Sequence, residues 1–140
     1  MQANLRLVAV RGLAALTGLI LFVIGLRFLL VPQKAARFFG ITIEGSDPAT
    51  SLSYVVGLRD IWLGLLVILM SAIEDWRGLA LWLGLGASVC LGDAAIAVQS
   101  GGWLLSVCFH LASGVYCGVL SWICWREHRK RCRRQQLQRL

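Results

Sequence analysis

Five ionisable side chains interrupt stretches of this 140-residue sequence that are otherwise apolar: Arg27, Arg59, Asp60, Asp93 and His110. A carboxylate beside an imidazole is the minimum equipment for moving a proton, and an arginine next to them can hold an anionic group. On a soluble surface such residues would be ordinary. Within hydrocarbon each costs roughly 2.5–3.5 kcal/mol on insertion scales, so it persists where it pairs, snorkels to the interface or works. Two arginines and two aspartates cancel, leaving one neutral histidine.

The surrounding composition says why hydrocarbon is the right medium. The chain is 58% hydrophobic and 15% charged, against about 45–50% and 25% for soluble domains. Disorder is excluded, because it needs low hydrophobicity. Five cysteines, an odd count without paired spacing, do not suit a disulfide-built secreted domain. Four apolar runs, at about 12–31, 52–73, 78–98 and 103–125, reach or nearly reach the ~20 residues that cross a ~30 Å layer as a helix. Lipid offers open backbone groups no partner, and the ~10-residue alternating segments of a barrel are absent. The expected fold is all-α: a polytopic, antiparallel four-transmembrane-helix bundle over residues 1–125, followed by a basic tail, 126–140. The first run exceeds the 7–15 apolar residues of a signal peptide, and Lys34-Ala-Ala-Arg-Phe-Phe follows it in place of a cleavage site. It reads as an uncleaved signal anchor.

Basic flanks set the expected orientation. Arg6, Arg11, Arg77, Arg126, Arg129, Lys130, Arg131, Arg133, Arg134 and Arg139 would share one side, and Lys34 and Arg37 the other. This places both termini in the cytoplasm, in a plasma or inner membrane. The 73–77 and 100–102 connections can only join antiparallel neighbours. The longer 32–51 connection opens at Pro32, where the first helix ends or a new turn starts. Lys34, Arg37, Phe38 and Phe39 suit a short interfacial helix. Asp47-Pro48 reads as an N-cap with proline at the first helical position.

Depth then brings the five ionisable residues together. At 1.5 Å per residue, Arg27 and Asp93 stand roughly 22 Å from the inner edge, and Arg59, Asp60 and His110 about 10–12 Å below the outer one. All fall in the outer half. Arg59 and Asp60 point ~100° apart on their helix, so each is expected to pair elsewhere: Arg59 with Asp93, and Asp60 with His110. Counted from the short 73–77 turn, Arg59 and Asp93 come level to within about 1.5 Å. Arg27, four residues before Val31, is expected to snorkel to the headgroups.

Small residues suggest where helices approach. Gly84, Ser88 and Gly92 form a small-xxx-small ridge, and Gly57, Asp60 and Gly64 share a face. Ser106, His110, Ser113, Cys117 and Ser121 make a polar stripe on the last span. The cysteines have no zinc or haem spacing, and buried thiols serve as small hydrophobes. No phosphate-binding glycine loop, HExxH or nucleophile elbow occurs, so no metal and no cofactor is expected. Seven of the fifteen residues of the tail REHRKRCRRQQLQRL are Arg or Lys, within a net charge of +7. Directly after a span, such a run reads as topology plus attraction to anionic lipid, and not as nucleic-acid binding.

Pro32, Ala35-Ala36 and Phe39-Gly40-Ile41, then Gly57-Leu58-Arg59-Asp60 with Gly64, then Gly92-Asp93 and His110, resemble a family of small four-span membrane proteins from bacteria and fungi. That family is a domain of unknown function, and its G-x-R-D element lies within a span. The resemblance covers most of 12–125 and leaves out the tail. In scale and topology the chain is also similar to DoxX-like membrane proteins, without a shared motif. The residues point to two functions. One is a binding or accessory module, self-associated or attached to a membrane partner subunit, holding a lipid-like small molecule at Arg59, Asp60, Asp93 and His110. The alternative is a small membrane-embedded acid–base enzyme, isomerase or cyclase in type, acting on an apolar substrate.

Overall fold

A computed structural model describes residues 2–38, 48–101 and 103–138. Five helices follow one another: α1 (Gln2–Leu30), α2 (Pro32–Phe38), α3 (Pro48–Ala72), α4 (Trp76–Gln99) and α5 (Leu104–Leu137). All but α2 are long and apolar enough to cross a membrane, and no strand occurs among the described residues. α1 begins well before the apolar run at Gly12. α5 carries the tail as an unbroken helix; its 34 residues are about 51 Å long, well beyond the ~30 Å hydrocarbon layer.

Local chemistry explains the ends. Pro32 breaks α1 and stands first in α2, where its missing N–H costs nothing. Hydrogen bonding resumes across the kink, with Val31 N donating to Arg27 O at 2.8 Å and Ala35 N to Val31 O at 3.0 Å. α2 is the amphipathic segment expected there: Ala35 and Ala36 are buried, and Lys34 and Arg37 are exposed. Pro48 opens α3, while Phe39 and the Asp47 cap lie outside the described residues. Asp75 caps α4, its Oδ1 accepting from Gly78 N at 2.9 Å.

Packing divides the bundle into two pairs, α1 along α3 and α4 along α5, with few contacts between pairs. The first pair is set by glycine. A Cβ on Gly18 would stand 2.6 Å from Gly64 O, and one on Gly25 would stand 2.5 Å from Gly57 O. The backbones therefore meet at two points seven residues apart on each helix, two turns of one face. Ala80, Ala94 and Ala97 and the stripe residues Ser106, His110 and Cys117 are buried in the second pair, and Ser121 Oγ donates to Ala80 O at 2.6 Å.

The ridge on α4 is a correction. Gly84 does approach Ser121, but Ser88 is exposed and a Cβ on Gly92 would meet nothing within 4 Å. The face used for packing is one of alanines and leucines. Close helix approach needs only small side chains, which alanine supplies.

All four long helices converge near the α3–α4 turn. There Ala14, Val67, Leu79, Leu83, Leu120 and Cys124 form one apolar core. A charged clasp closes this basic end. Glu74 accepts from Arg11 Nη1 through Oε1 at 2.5 Å and from Arg131 Nη1 through Oε2 at 3.2 Å. Arg11 also donates to the last carbonyls of α3, Ser71 O at 2.8 Å and Ala72 O at 3.3 Å, satisfying acceptors that a helix end leaves open. Arg131 lies over the buried Trp76 ring at 5.0 Å. Glu74 has φ of 59°, a left-handed conformation that costs about 1 kcal/mol or more in a non-glycine residue. Glu74→Ala is therefore expected to destabilise by about 1–2 kcal/mol, since each partly exposed ion pair contributes under about 1 kcal/mol. Glu74→Gly should be milder by several tenths to 1 kcal/mol, as it relieves the strain. Chemical denaturation in detergent ranks the two; equal losses would show that the turn is unstrained.

Candidate functional site

The polar cluster sits in the half of the bundle away from the apolar core. Asp60 is buried on α3, at 6% exposure. Arg59 reaches around its own helix to it, and Nε and Nη2 both donate to Asp60 Oδ1 at 3.1 Å. His110 is buried on α5 at 4% exposure. Its Nδ1 stands 3.9 Å from Asp93 Oδ2 on α4, and the Phe109 ring meets the imidazole edge-on at 5.7 Å. Asp93 lies within electrostatic reach of both Asp60 and His110. Three helices thus bring Arg59, Asp60, Asp93 and His110 into one neighbourhood.

The partners, however, are exchanged relative to expectation. Arg59 pairs with Asp60, and not with Asp93; Asp93 faces His110, and Asp60 does not pair with it. Two physical causes account for this. A short turn holds helices together only at their ends, and α3 packs along α1 while α4 packs along α5. The ~100° between adjacent residues also measures where Cβ atoms point, whereas a long arginine can swing back to its neighbour. Arg27 is exposed on α1 and makes no side-chain hydrogen bond or ion pair among the described residues.

Charge is distributed unevenly in this cluster. The Arg59 side chain is 55% exposed while that of Asp60 is 9% exposed, so the pair is lodged by its carboxylate and open at its guanidinium. Both engaged nitrogens converge on one oxygen, which leaves the rest of the guanidinium fork with no partner among the described residues. Asp93 is open too, with a 39% exposed side chain against 6% for His110. The arrangement can hold an anionic or hydrogen-bonding head group at Arg59, and a proton can pass between Asp93 and His110 once they close from 3.9 Å to hydrogen-bond distance.

Other features surround the cluster, among them two members of the α5 stripe, Ser106 and Cys117. Ser106, one turn from His110, is 2% exposed, and its Oγ has no hydrogen-bond partner among the described residues. A Cβ on Gly114 of α5 would stand 3.4 Å from Cys90 Cβ of α4, so the two helices meet closely beside the cluster. Tyr116 Oη donates to Leu13 O at 3.0 Å, tying α5 to α1. A membrane aromatic with a polar tip signals such a tie, but sequence does not say which helix receives it. Cys117 and Cys124 are buried, Cys90 is half-buried, and Cys108 and Cys132 are exposed; all five are free thiols. Among the described residues no three His, Cys, Asp or Glu side chains stand together as a metal-ligand set.

These elements define an all-α membrane bundle with a polar cluster in one half. The chain belongs to the family described as a domain of unknown function, DUF4267, whose model matches residues 18–130, from within α1 to the extension of α5. No curated protein and no solved structure matches the chain.

Proposed function

We propose that the protein is a binding or accessory module of the bilayer that receives a lipid-like small molecule, or a partner subunit, at Arg59, Asp60, Asp93 and His110. The observation that carries this reading is the half-open Arg59–Asp60 pair, a cation in a membrane span with part of its fork uncommitted. Such a guanidinium recognises a phosphate or carboxylate head group bidentately. Weak contact between the two helix pairs leaves an approach from the bilayer. One small bundle without an internal repeat does not suit alternating access. We take Gly57-Leu58-Arg59-Asp60 as the signature element of the family, for this reason. The basic flanks support both termini in the cytoplasm of a plasma or inner membrane, which puts the cluster in the outer leaflet. Reporter fusions at residues 45 and 140 should then lie on opposite sides.

Lipid analysis of protein purified in mild detergent tests the binding role. Wild type and Arg27→Gln should retain the same amphiphile or partner, and Arg59→Gln should lose it. A clean monomer retaining neither would overturn the reading. The 3.9 Å approach of Asp93 to His110 favours a second one, acid–base catalysis on an apolar substrate. On that reading at least one of Asp60→Asn, Asp93→Asn and His110→Ala folds normally and loses activity or phenotype. A purely structural clamp loses folded protein in all three.

A further inference from the structure

Between the first turns of α1 and the last turns of α5 the basic end forms a half-open cleft of ≈ 650 Å³. Its lining changes character along the helices. Leu7 and Val10 on α1 and Trp122 and Ile123 on α5 lie toward the span, while Arg6, Arg126, Lys130 and Arg134 lie toward the end of the bundle. The acid in this lining, Glu127, is already taken: its carboxylate faces Lys130 Nζ at 3.8 Å and Arg131 Nε at 3.7 Å. Arg6, Arg126 and Arg134 have no carboxylate partner among the described residues. Arg126 instead lies over the Trp122 ring at 4.7 Å, which aligns a cation with the apolar wall.

We infer that this cleft is a binding site for an anionic glycerophospholipid of the adjoining leaflet. The head-group phosphate sits among the arginines, and an acyl chain lies along Leu7, Val10 and Trp122. Three uncommitted guanidinium groups match a head group with two phosphates better than one with a single phosphate, because each phosphate accepts a bidentate pair. A nucleic acid would use the cations but not the apolar wall beside them. The site lies at the opposite end of the bundle from Arg59, and its occupancy does not depend on the reading of that cluster.

Native mass spectrometry of the full chain in detergent tests this with diphosphatidylglycerol, phosphatidylglycerol, phosphatidylcholine and inorganic pyrophosphate as probes. Wild type should bind diphosphatidylglycerol most tightly and phosphatidylcholine least. Arg6→Gln with Arg134→Gln should weaken the first by roughly 30-fold, at about 1 kcal/mol for each cation removed. Arg129→Gln with Arg133→Gln removes equal charge from α5, at positions outside the cleft lining. It should cost less than about threefold, the residue of long-range attraction. Both doubles change exposed residues, and circular dichroism confirms that each folds. Equal losses in the two doubles would overturn the site in favour of diffuse surface attraction. Pyrophosphate binding as tight as the lipid would overturn it in favour of a soluble polyphosphate.

Discussion

Gly64→Val is expected to remove most folded protein from detergent solution. The new Cβ would stand 2.5 Å from Gly18 O and 2.9 Å from Phe22 N. Both are backbone atoms of the facing helix, so no side-chain rotation relieves the clash and α1 must move away from α3. Overpacking ordinarily costs roughly 1–3 kcal/mol, and a backbone-to-backbone clash falls at or above the top of that range. Gly25→Val should behave alike, since its Cβ would meet Gly57 O at 2.5 Å. Gly92→Val and Gly118→Val provide the contrast, because a Cβ at either meets nothing within 4 Å; each should stay within about 0.5 kcal/mol of wild type. Thermal unfolding followed by circular dichroism separates the two groups. If Gly64→Val and Gly92→Val melt together, the glycine register of α1 and α3 is wrong.

Removing Asp60 carries the second large effect. Asp60→Leu leaves the Arg59 guanidinium within the span with its hydrogen-bond acceptor gone. An unpaired arginine costs up to roughly 2.5–3.5 kcal/mol at the bilayer centre, less where it can snorkel. A loss of about 2 kcal/mol is expected. Arg59→Leu combined with Asp60→Leu should recover most of it, because a buried pair replaced by apolar side chains is often close to neutral in stability. The double variant would be folded and unable to bind through Arg59. A double variant no more stable than Asp60→Leu would show that Arg59 has stabilising contacts apart from Asp60.

What sequence made legible follows from which forces are local. The four spans could be read because solvation of a continuous apolar run depends only on its own composition, and Pro32 and Pro48 marked helix starts through their own covalent geometry. Relative level along the helices was legible too, since rise per residue is constant: Asp93 and His110 stand 3.9 Å apart across α4 and α5. Partner choice was not. Whether Arg59 meets Asp60 or Asp93 depends on which helices pack side by side, and that was decided by Gly18 and Gly25 on α1. Spacing alone does not say that these two glycines meet Gly57 and Gly64 across the helices. The Gly84–Ser88–Gly92 ridge failed for the same reason, as small residues permit close approach without requiring it. The Glu74 clasp joins Arg11, Glu74 and Arg131 across 120 residues of chain, and no local pattern announces such a contact.

The pairing of α1 with α3 and α4 with α5 also sets a timetable. The two pairs follow one another along the chain, closed by the 31–47 connection that contains α2 and by the 100–103 turn, and loop-closure cost rises only slowly with length. The residues of the glycine-matched hairpin all precede α4 in the chain, so this hairpin is the first that can close. The second hairpin then forms against its own alanine face without waiting on the first. Glu74 lies between them, holding a place for Arg131, which is synthesised later than nearly all of the apolar core. Translation thus delivers two independently closed hairpins, and the last helix brings the side chain that fastens them together.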